Sequence, residues 1–514
     1  MAGLATLGIT VGSCQLLSGL SAYHDTGAGG TSATTTSGTG GLGGASTSSA
    51  SSSSTSSTSS TSSTSGGCDA GGGAVPGSVV WARSLSAMAP TSVAQSSTGV
   101  VVVGYFAAPV SLGGSLLAPS GPDDTAFAQF AVSDATYQYQ NSFGGGPGQV
   151  YGFLDQLAPS ESPLLYGVAF GPAYDLGLGQ VEGGGPDGGG PDGFVGQYAA
   201  AGAPGWVQRL VGSGEGQFIA AVNGPTSTVF AAGWFSQATV LEQTPDAPLP
   251  LISAGDRDIL LAQFDLYGGG PVMHQTYGSP GLTQQAYGMV WTGSQLVMTG
   301  DFDPATTFGT TTPLISAGGD DAFVVALQPD GTPVWSVRFG GVGFDSGTLV
   351  TVDAGGDLYV CGRFSDQVTF GTSTLMSAGG TDVFVTKLRG SDGSVVWATS
   401  FGSTNDDRCQ GLAIDSCGRI FVSADIQGPI DPGGPYYGGY DAALLAFENT
   451  GARRWTQVLG TSGDDYANGV TAPSESVFTG VSLGGDIGTS IAGVTILDPP
   501  TSPSPGGLLL KMQP

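Results

Sequence analysis

Between Asp321 and Phe370 apolar side chains alternate with polar or small ones in four short runs, each dominated by Val, Phe, Tyr and Thr. That alternation predicts four β-strands with one buried face each. The first run, Asp321 to Leu327, meets Pro329-Asp330-Gly331, where glycine supplies the positive φ of a tight hairpin. The second carries Trp335, Val337 and Phe339 and stops at Gly340-Gly341. A third, Thr348 to Asp353, turns at Gly355-Gly356 into a fourth, Leu358 to Phe364. A single antiparallel meander of this size cannot bury its own faces, so such units must stack on one another.

Copies of the stretch recur along most of the chain. The second-strand residue four before a Phe, Leu or Tyr, which Gly follows in five of the seven copies, is Trp81, Tyr139, Trp206, Met273, Trp335, Trp397 and Trp455, at spacings of 58, 67, 67, 62, 62 and 58 residues. First strands begin near Ala126, Gly193, Ile259, Ala322, Val383, Ala442 and, at the end of the chain, Gly507. The repeats therefore open on a second strand, Gly77 to Leu85, and close on a first strand, Leu508 to Met512. The expected fold is all-β, a seven-bladed β-propeller closed by pairing the first and last strands. An extended β-solenoid is the alternative, and a contact between Val79 and Leu509 separates the two.

Departures from the repeat locate expected loops. Most copies keep Gly-x-Phe after the fourth strand (Gly104-Tyr105-Phe106, Gly233-Trp234-Phe235, Gly300-Asp301-Phe302, Gly362-Arg363-Phe364), and a small hairpin follows at Leu112-Gly113, Phe308-Gly309 and Phe370-Gly371. The second unit replaces that hairpin with GQVEGGGPDGGGPDG, Gly179 to Gly193, a composition that predicts a mobile loop. Loops on such a ring project from one rim, which is the first expectation for a binding face.

Composition divides the chain into 1–24, 25–76 and 77–514. From Thr26 to Gly67 it is almost wholly Ser, Thr, Gly and Ala. Such a segment cannot bury enough apolar surface to fold and is expected to be a tether of about 35 to 40 Å root-mean-square reach. Before it, a short apolar run ends in Val11-Gly12-Ser13-Cys14, which resembles a bacterial lipobox. The resemblance implies acylation of Cys14, an envelope lipid as partner, and an outer-membrane or extracellular location. It departs from the pattern in having no Lys or Arg ahead of the apolar run. No run reaches the roughly 18 apolar residues of a membrane-spanning helix.

The run Ser-Ala-Gly-Gly-x-Asp (Ser316 to Asp321, Ser377 to Asp382), with its Asp-Gly turn, its Trp and its Tyr-Val-x-Gly-x-Phe, resembles the SBBP-type bacterial β-propeller repeat proteins over 77–514. That resemblance implies a secreted or surface-exposed propeller and leaves its chemistry open.

Forty acidic residues stand against twelve basic ones in the whole chain, a net charge of −28. Removing Asp25 and Asp69 leaves the repeats with 38 against 12, or −26. Such a surface repels nucleic acid and anionic lipid and admits cations, neutral glycans and basic proteins. Histidine occurs at His24 and His274, too few for a multi-histidine zinc site, and His274 is expected to be structural. Cys409 and Cys417 flank one strand and sit too far apart to bridge. In an oxidising compartment Cys361 pairs with Cys409; buried free thiols are the alternative.

Three expectations concern ligands. The run Gly340-Gly341-Val342-Gly343-Phe344-Asp345 matches the opening of a calcium-binding nonapeptide, so Asp345, Asp407 and Asp465 are candidate metal ligands and calcium the candidate cofactor. Turn formation is the competing role for all three. Tyr436, Tyr437 and Tyr440 form the clustered aromatics that a glycan-binding, lectin-like propeller would need. A carboxylate-dependent glycosidase or lyase would need two acids converging in a cleft, which spacing alone does not reveal, and no catalytic residue is assigned. The leading expectation is a surface-anchored, non-enzymatic binding or scaffold lipoprotein with a protein or glycan ligand.

Overall fold

The computed structural model describes residues 75–183, 191–199, 204–242, 248–309, 311–474, 476–485, 490–498 and 506–514. Cys14 and most of the tether lie outside them. The chain is a seven-bladed β-propeller. Its innermost strands, in blade order, are Ala89–Gln95, Gln149–Leu157, Gly216–Asn223, Thr283–Trp291, Asp345–Val352, Arg408–Ile414 and Tyr466–Ser474. Blade 5 shows the plan: Asp345–Val352, Leu358–Phe370, Ser373–Leu388 and Val395–Phe401 pair consecutively and antiparallel from the axis outward. The third strands, such as Asp321–Leu327 and Asp441–Phe447, are buried along their whole length because neighbouring blades cover both faces.

The ring closes where the sequence places the closure. Val79–Ser84 is the outermost strand of blade 7 and pairs antiparallel with the C-terminal strand Gly506–Met512, which itself pairs with Ser476–Leu483. In the observed register Val79 stands opposite Met512 and Leu509 opposite Arg83, so the strand pairing is as expected and the residue pairing is shifted.

Three sequence expectations need correction. The repeat from Asp321 to Phe370 is not one meander: Asp321–Leu327 and Pro333–Phe339 are the outer half of blade 4, and the next two strands are the inner half of blade 5. The Pro-Asp-Gly turn holds two outer strands together, and Gly340-Gly341 carries the chain across to the next sheet. The third strand of the repeat begins at Asp345, not Thr348, and the fourth runs on to Phe370 in a ladder with Ser373–Leu388. Blade 2 does carry a hairpin, Ala173–Asp175 with Gln180–Glu182, anchored by buried Tyr174 and Leu176.

The aromatic anchors act between blades. Each sits on an outermost strand, and the indole N–H of Trp206, Trp335 and Trp397 donates to Leu266 O (2.7 Å), Gly390 O (3.2 Å) and Asn449 O (2.8 Å) in the outer hairpin of the following blade. Trp81 does the same across the closure, to Val132 O at 3.3 Å. Glycines of positive φ lie under these rings: Gly269, Gly393 and Gly451 face Trp206, Trp335 and Trp397, and a Cβ on any of them would come within 2.9 Å of the indole. Trp81 and Trp206 are buried, whereas Trp335, Trp397 and Trp455 are half-buried.

Candidate functional site

Because strands alternate in direction, the connections between second and third strands all leave from one face of the ring, and the outermost-to-innermost crossings leave from the same face. Sequence length is concentrated there. The second-to-third connections hold the bridge of Val110 with Leu117, the blade 2 hairpin, Ala238–Glu242 with Leu249–Ile252, Ala305–Thr306 with Leu314–Ile315, the outer part of the Leu358–Phe370 ladder, the tyrosine-bearing stretch 427–440, and Ser490–Ile491 with Val494–Leu497.

Every one of these seven connections exposes a large apolar side chain. Leu116, Leu178, Ile252, Ile315 and Met376 are 62 to 80% exposed, and Tyr436 (40%), Tyr437 (53%) and Leu497 (37%) complete the circuit. The local cause is visible in the alternation of a strand. In Leu251-Ile252 and Ile496-Leu497 the first residue is buried and the second faces solvent; Leu314-Ile315 and Leu375-Met376 repeat the pattern with the first residue packed on the core edge, and Leu116-Leu117 reverses it. Adjacent apolar residues just before the Ser-Ala-Gly turn were the sequence signal for this feature, since two neighbours on a strand cannot share a face.

The acidic residues of the repeat turns mostly face inward. Asp345, Asp407 and Asp465 head the innermost strands of blades 5, 6 and 7 and are fully buried. Each accepts the backbone N–H of the residue four before it, Gly341 (2.8 Å), Ser403 and Thr461; Gln427 N–H and Gly484 N–H add to Asp407 and Asp465. Burial pushes the Asp345 carboxyl up to about 7 and that of Asp407 up to about 6, and raises Asp465 as well. They stand on three different blades and are not brought into one cluster. Among the described residues no group of three or more His, Cys, Asp or Glu side chains has metal-holding geometry.

The tyrosine cluster divides. Tyr436 and Tyr437 are exposed side by side in the blade 6 connection, with the Tyr436 hydroxyl donating to Gly439 O at 3.0 Å. Tyr440 is half-buried: its ring packs on Tyr466 at 5.8 Å, and the Arg408 guanidinium lies over it at 4.9 Å. His274 is exposed on the outermost strand of blade 3, opposite Ala262. Cys361 and Cys409 form a disulfide between blades 5 and 6, Cα to Cα 6.3 Å, and Cys417 is also disulfide-bonded.

On the axis is a cavity of about 190 Å³ to which all seven innermost strands contribute, through Ser92, Phe153, Ile219, Tyr287, Thr348, Gln410 and Val470. Six of those strands carry a bulge near the loop-bearing end, at Thr91, Ile219, Tyr287, Thr348, Gln410 and Gly469. A bulge re-aims side chains, and five of the six bulged residues line the cavity. Arg363 and Arg408 line it as well. Asp155 lies toward the opposite end; it is reached by solvent, yet the surrounding strands enclose it enough to raise its carboxyl to about 6, against the hydroxyl of Tyr166 at 2.7 Å.

No protein-family profile and no curated protein matches the chain. Solved structures do match. BamB from Moraxella catarrhalis is similar at 10% identity and a TM-score of 0.36, over 84% of this chain and 99% of that one. A protein of unknown function from Dyadobacter fermentans has 9% identity and a TM-score of 0.35, over 86% and 100%. A europium-containing methanol dehydrogenase has 10% identity and a TM-score of 0.33, over 85% and 93%.

Proposed function

We propose that the protein is a binding or scaffold lipoprotein of a bacterial cell surface that meets its partner with the loop-bearing face of the propeller and performs no chemistry on it. The observation that carries this reading is the exposure of a large apolar side chain in each of the seven second-to-third-strand connections. Repeated apolar exposure at loop tips costs solubility, and it is retained where a partner covers it. The net charge of −28 favours a partner surface that is apolar with a neutral or basic rim.

The anchoring part of the proposal rests on Val11-Gly12-Ser13-Cys14 and the Ser/Thr/Gly tether, a lipid attachment followed by a spacer and a folded domain. A lipid at Cys14 would set the ring within tether reach of the membrane, with an outer-membrane position favoured by Gln15-Leu16. The SBBP-type resemblance agrees with a surface location.

Two variants of the full chain test the reading. One replaces Leu116, Leu178, Ile252, Ile315 and Met376 with Ser; the control replaces Val272, Val334 and Val396, exposed on outermost strands, with Ser. The tip variant is expected to lose ligands retained from envelope extracts while the control keeps them. Equal retention by both would overturn it. Soluble polysaccharides and calcium, each with a chelator control, are run as thermal melts beside these. A glycan-specific shift abolished by Tyr436→Ala and Tyr437→Ala would favour a lectin, and a calcium-only shift would favour metal sites at Asp345, Asp407 and Asp465.

A further inference from the structure

Twelve basic residues serve a chain of net charge −28, and eight of them, Arg83, Arg209, Arg257, Arg338, Lys387, Arg419, Arg453 and Arg454, are in ion pairs with Asp or Glu. Of the other four, Arg389 is exposed at a hairpin turn and Lys511 donates to Val132 O at 3.1 Å. Arg363 and Arg408 remain. Both are half-buried, both line the axial cavity, and neither forms an ion pair with a described residue. In a protein with more than three acids per base, two cations left unpaired in a cavity is not what charge statistics would deliver.

Both guanidiniums are placed by the fold. Arg363 is the variable residue of Gly362-Arg363-Phe364 in blade 5 and lies over the Phe344 ring at 4.7 Å. Arg408 begins the innermost strand of blade 6 and lies over Tyr440. Stacking on an aromatic face fixes the plane of a guanidinium and leaves its N–H fork free for an oxyanion. The acids near Arg363 are Asp301 and Asp320, and those near Arg408 are Asp406, Asp407 and Asp425. Asp301 is hydrogen-bonded to the hydroxyls of Tyr287 and Ser346, and Asp425 accepts from Ala467 N–H (2.9 Å) and the Gln410 amide, so both carboxyls are engaged by groups other than the two guanidiniums.

We propose that the axial cavity binds a small dianionic oxyanion, a dicarboxylate or a phosphate, between Arg363 and Arg408, with Thr348 lining the same space. Two cations on adjacent blades suit two negative charges better than one, and a cavity of about 190 Å³ suits a ligand of metabolite size rather than a polymer. The site is distinct from the apolar tips, so the tip variant above should bind the anion like wild type.

Isothermal calorimetry of the full chain against succinate, inorganic phosphate and uncharged succinamide at about pH 7.5, where both anions are mainly dianions, tests this. Succinate or phosphate should bind with a dissociation constant below about 1 mM and succinamide should not; whichever anion binds identifies the source. Arg363→Gln and Arg408→Gln should each weaken binding about tenfold or more, the loss of one charge-assisted pair, with the lysine variants intermediate. Melting curves without ligand establish that each variant is folded. Absence of binding by either anion at about 10 mM to folded wild type, or glutamine variants that bind like wild type, would overturn the proposal.

Discussion

The carboxylate of Asp321 occupies the space that a side chain on Gly340 would need: a Cβ there would stand 2.2 Å from Asp321 Cγ. The same pairing joins Asp124 to Gly144, Asp258 to Gly278, Asp382 to Gly402 and Asp441 to Gly460, at 2.0 to 2.4 Å. In these five blades the aspartate lies on the third strand and accepts the N–H of the residue four before it, as from Ala317 at 3.0 Å and Ala378 at 2.8 Å. The Ser-Ala-Gly-Gly-x-Asp motif and the Phe-Gly step are therefore two halves of one contact across neighbouring strands.

Gly340→Ala should destabilise the protein by about 1 to 3 kcal/mol, the range for forcing a methyl into a filled site. Asp321→Ala opens that space but leaves the Ala317 N–H and Arg338 without their partner. The double variant should be more stable than the sum of the single losses by about 1 kcal/mol, measurable by denaturant titration in a double-mutant cycle.

Trp335→Ala should cost about 2 kcal/mol, less than the 3 to 5 typical of a fully buried tryptophan, because the ring is half-buried. Trp335→Phe keeps most of the contact with Gly393 and forfeits the hydrogen bond to Gly390 O, a loss of about 1 kcal/mol. Equal losses in the two variants would show that the hydrogen bond, not the packing, joins the blades.

Much of the architecture was legible because the repeats are out of phase with the blades. The opening run around Trp81 is of outermost-strand type and the closing run around Leu509 of third-strand type, so their pairing follows from the sequence alone. Assigning strands to sheets failed at Gly340-Gly341, since a turn within a blade and a crossing between blades both use glycine. The tips were hidden for a different reason: Ile315 reads as a core residue until its neighbour Leu314 is seen to take the inward position. Arg363 stood in plain sight as the variable residue of Gly-x-Phe, but its cavity is completed by Arg408 on the next blade, and no local pattern announces that.

Stability should rise as pH falls from about 8 to about 5. Burial raises Asp301, Asp345 and Asp425 to about 7 and Asp441 and Asp407 to about 6, above the ordinary value of 3.8 for an aspartate in the unfolded chain. A raised carboxyl binds its proton more tightly in the folded state, so its stabilising contribution is complete below the unfolded value and is lost as pH rises through the folded one. The melting temperature at pH 5 should exceed that at pH 8 by roughly 5 °C. Asp345→Asn, which cannot ionise, should flatten part of this dependence; an unchanged profile would mean that Asp345 does not titrate in this window.

Reduction of the Cys361–Cys409 disulfide, or its replacement by two serines, should cost about 2 to 4 kcal/mol, the range for a loop of this length, with 48 residues of sequence separation. Blades 5 and 6 should then show faster amide exchange than blades 2 and 3.

Only a closed ring gathers seven loop tips and seven innermost strands around one axis. Val79→Cys with Met512→Cys tests it most directly: opposite residues of an antiparallel pair stand about 5 Å apart, within disulfide reach, although the two positions are separated by nearly the whole propeller. The expected result is spontaneous cross-linking in the folded protein under mild oxidation, detected as a compact, faster-migrating species that reductant abolishes. A folded double variant that does not cross-link would contradict closure and favour an open solenoid.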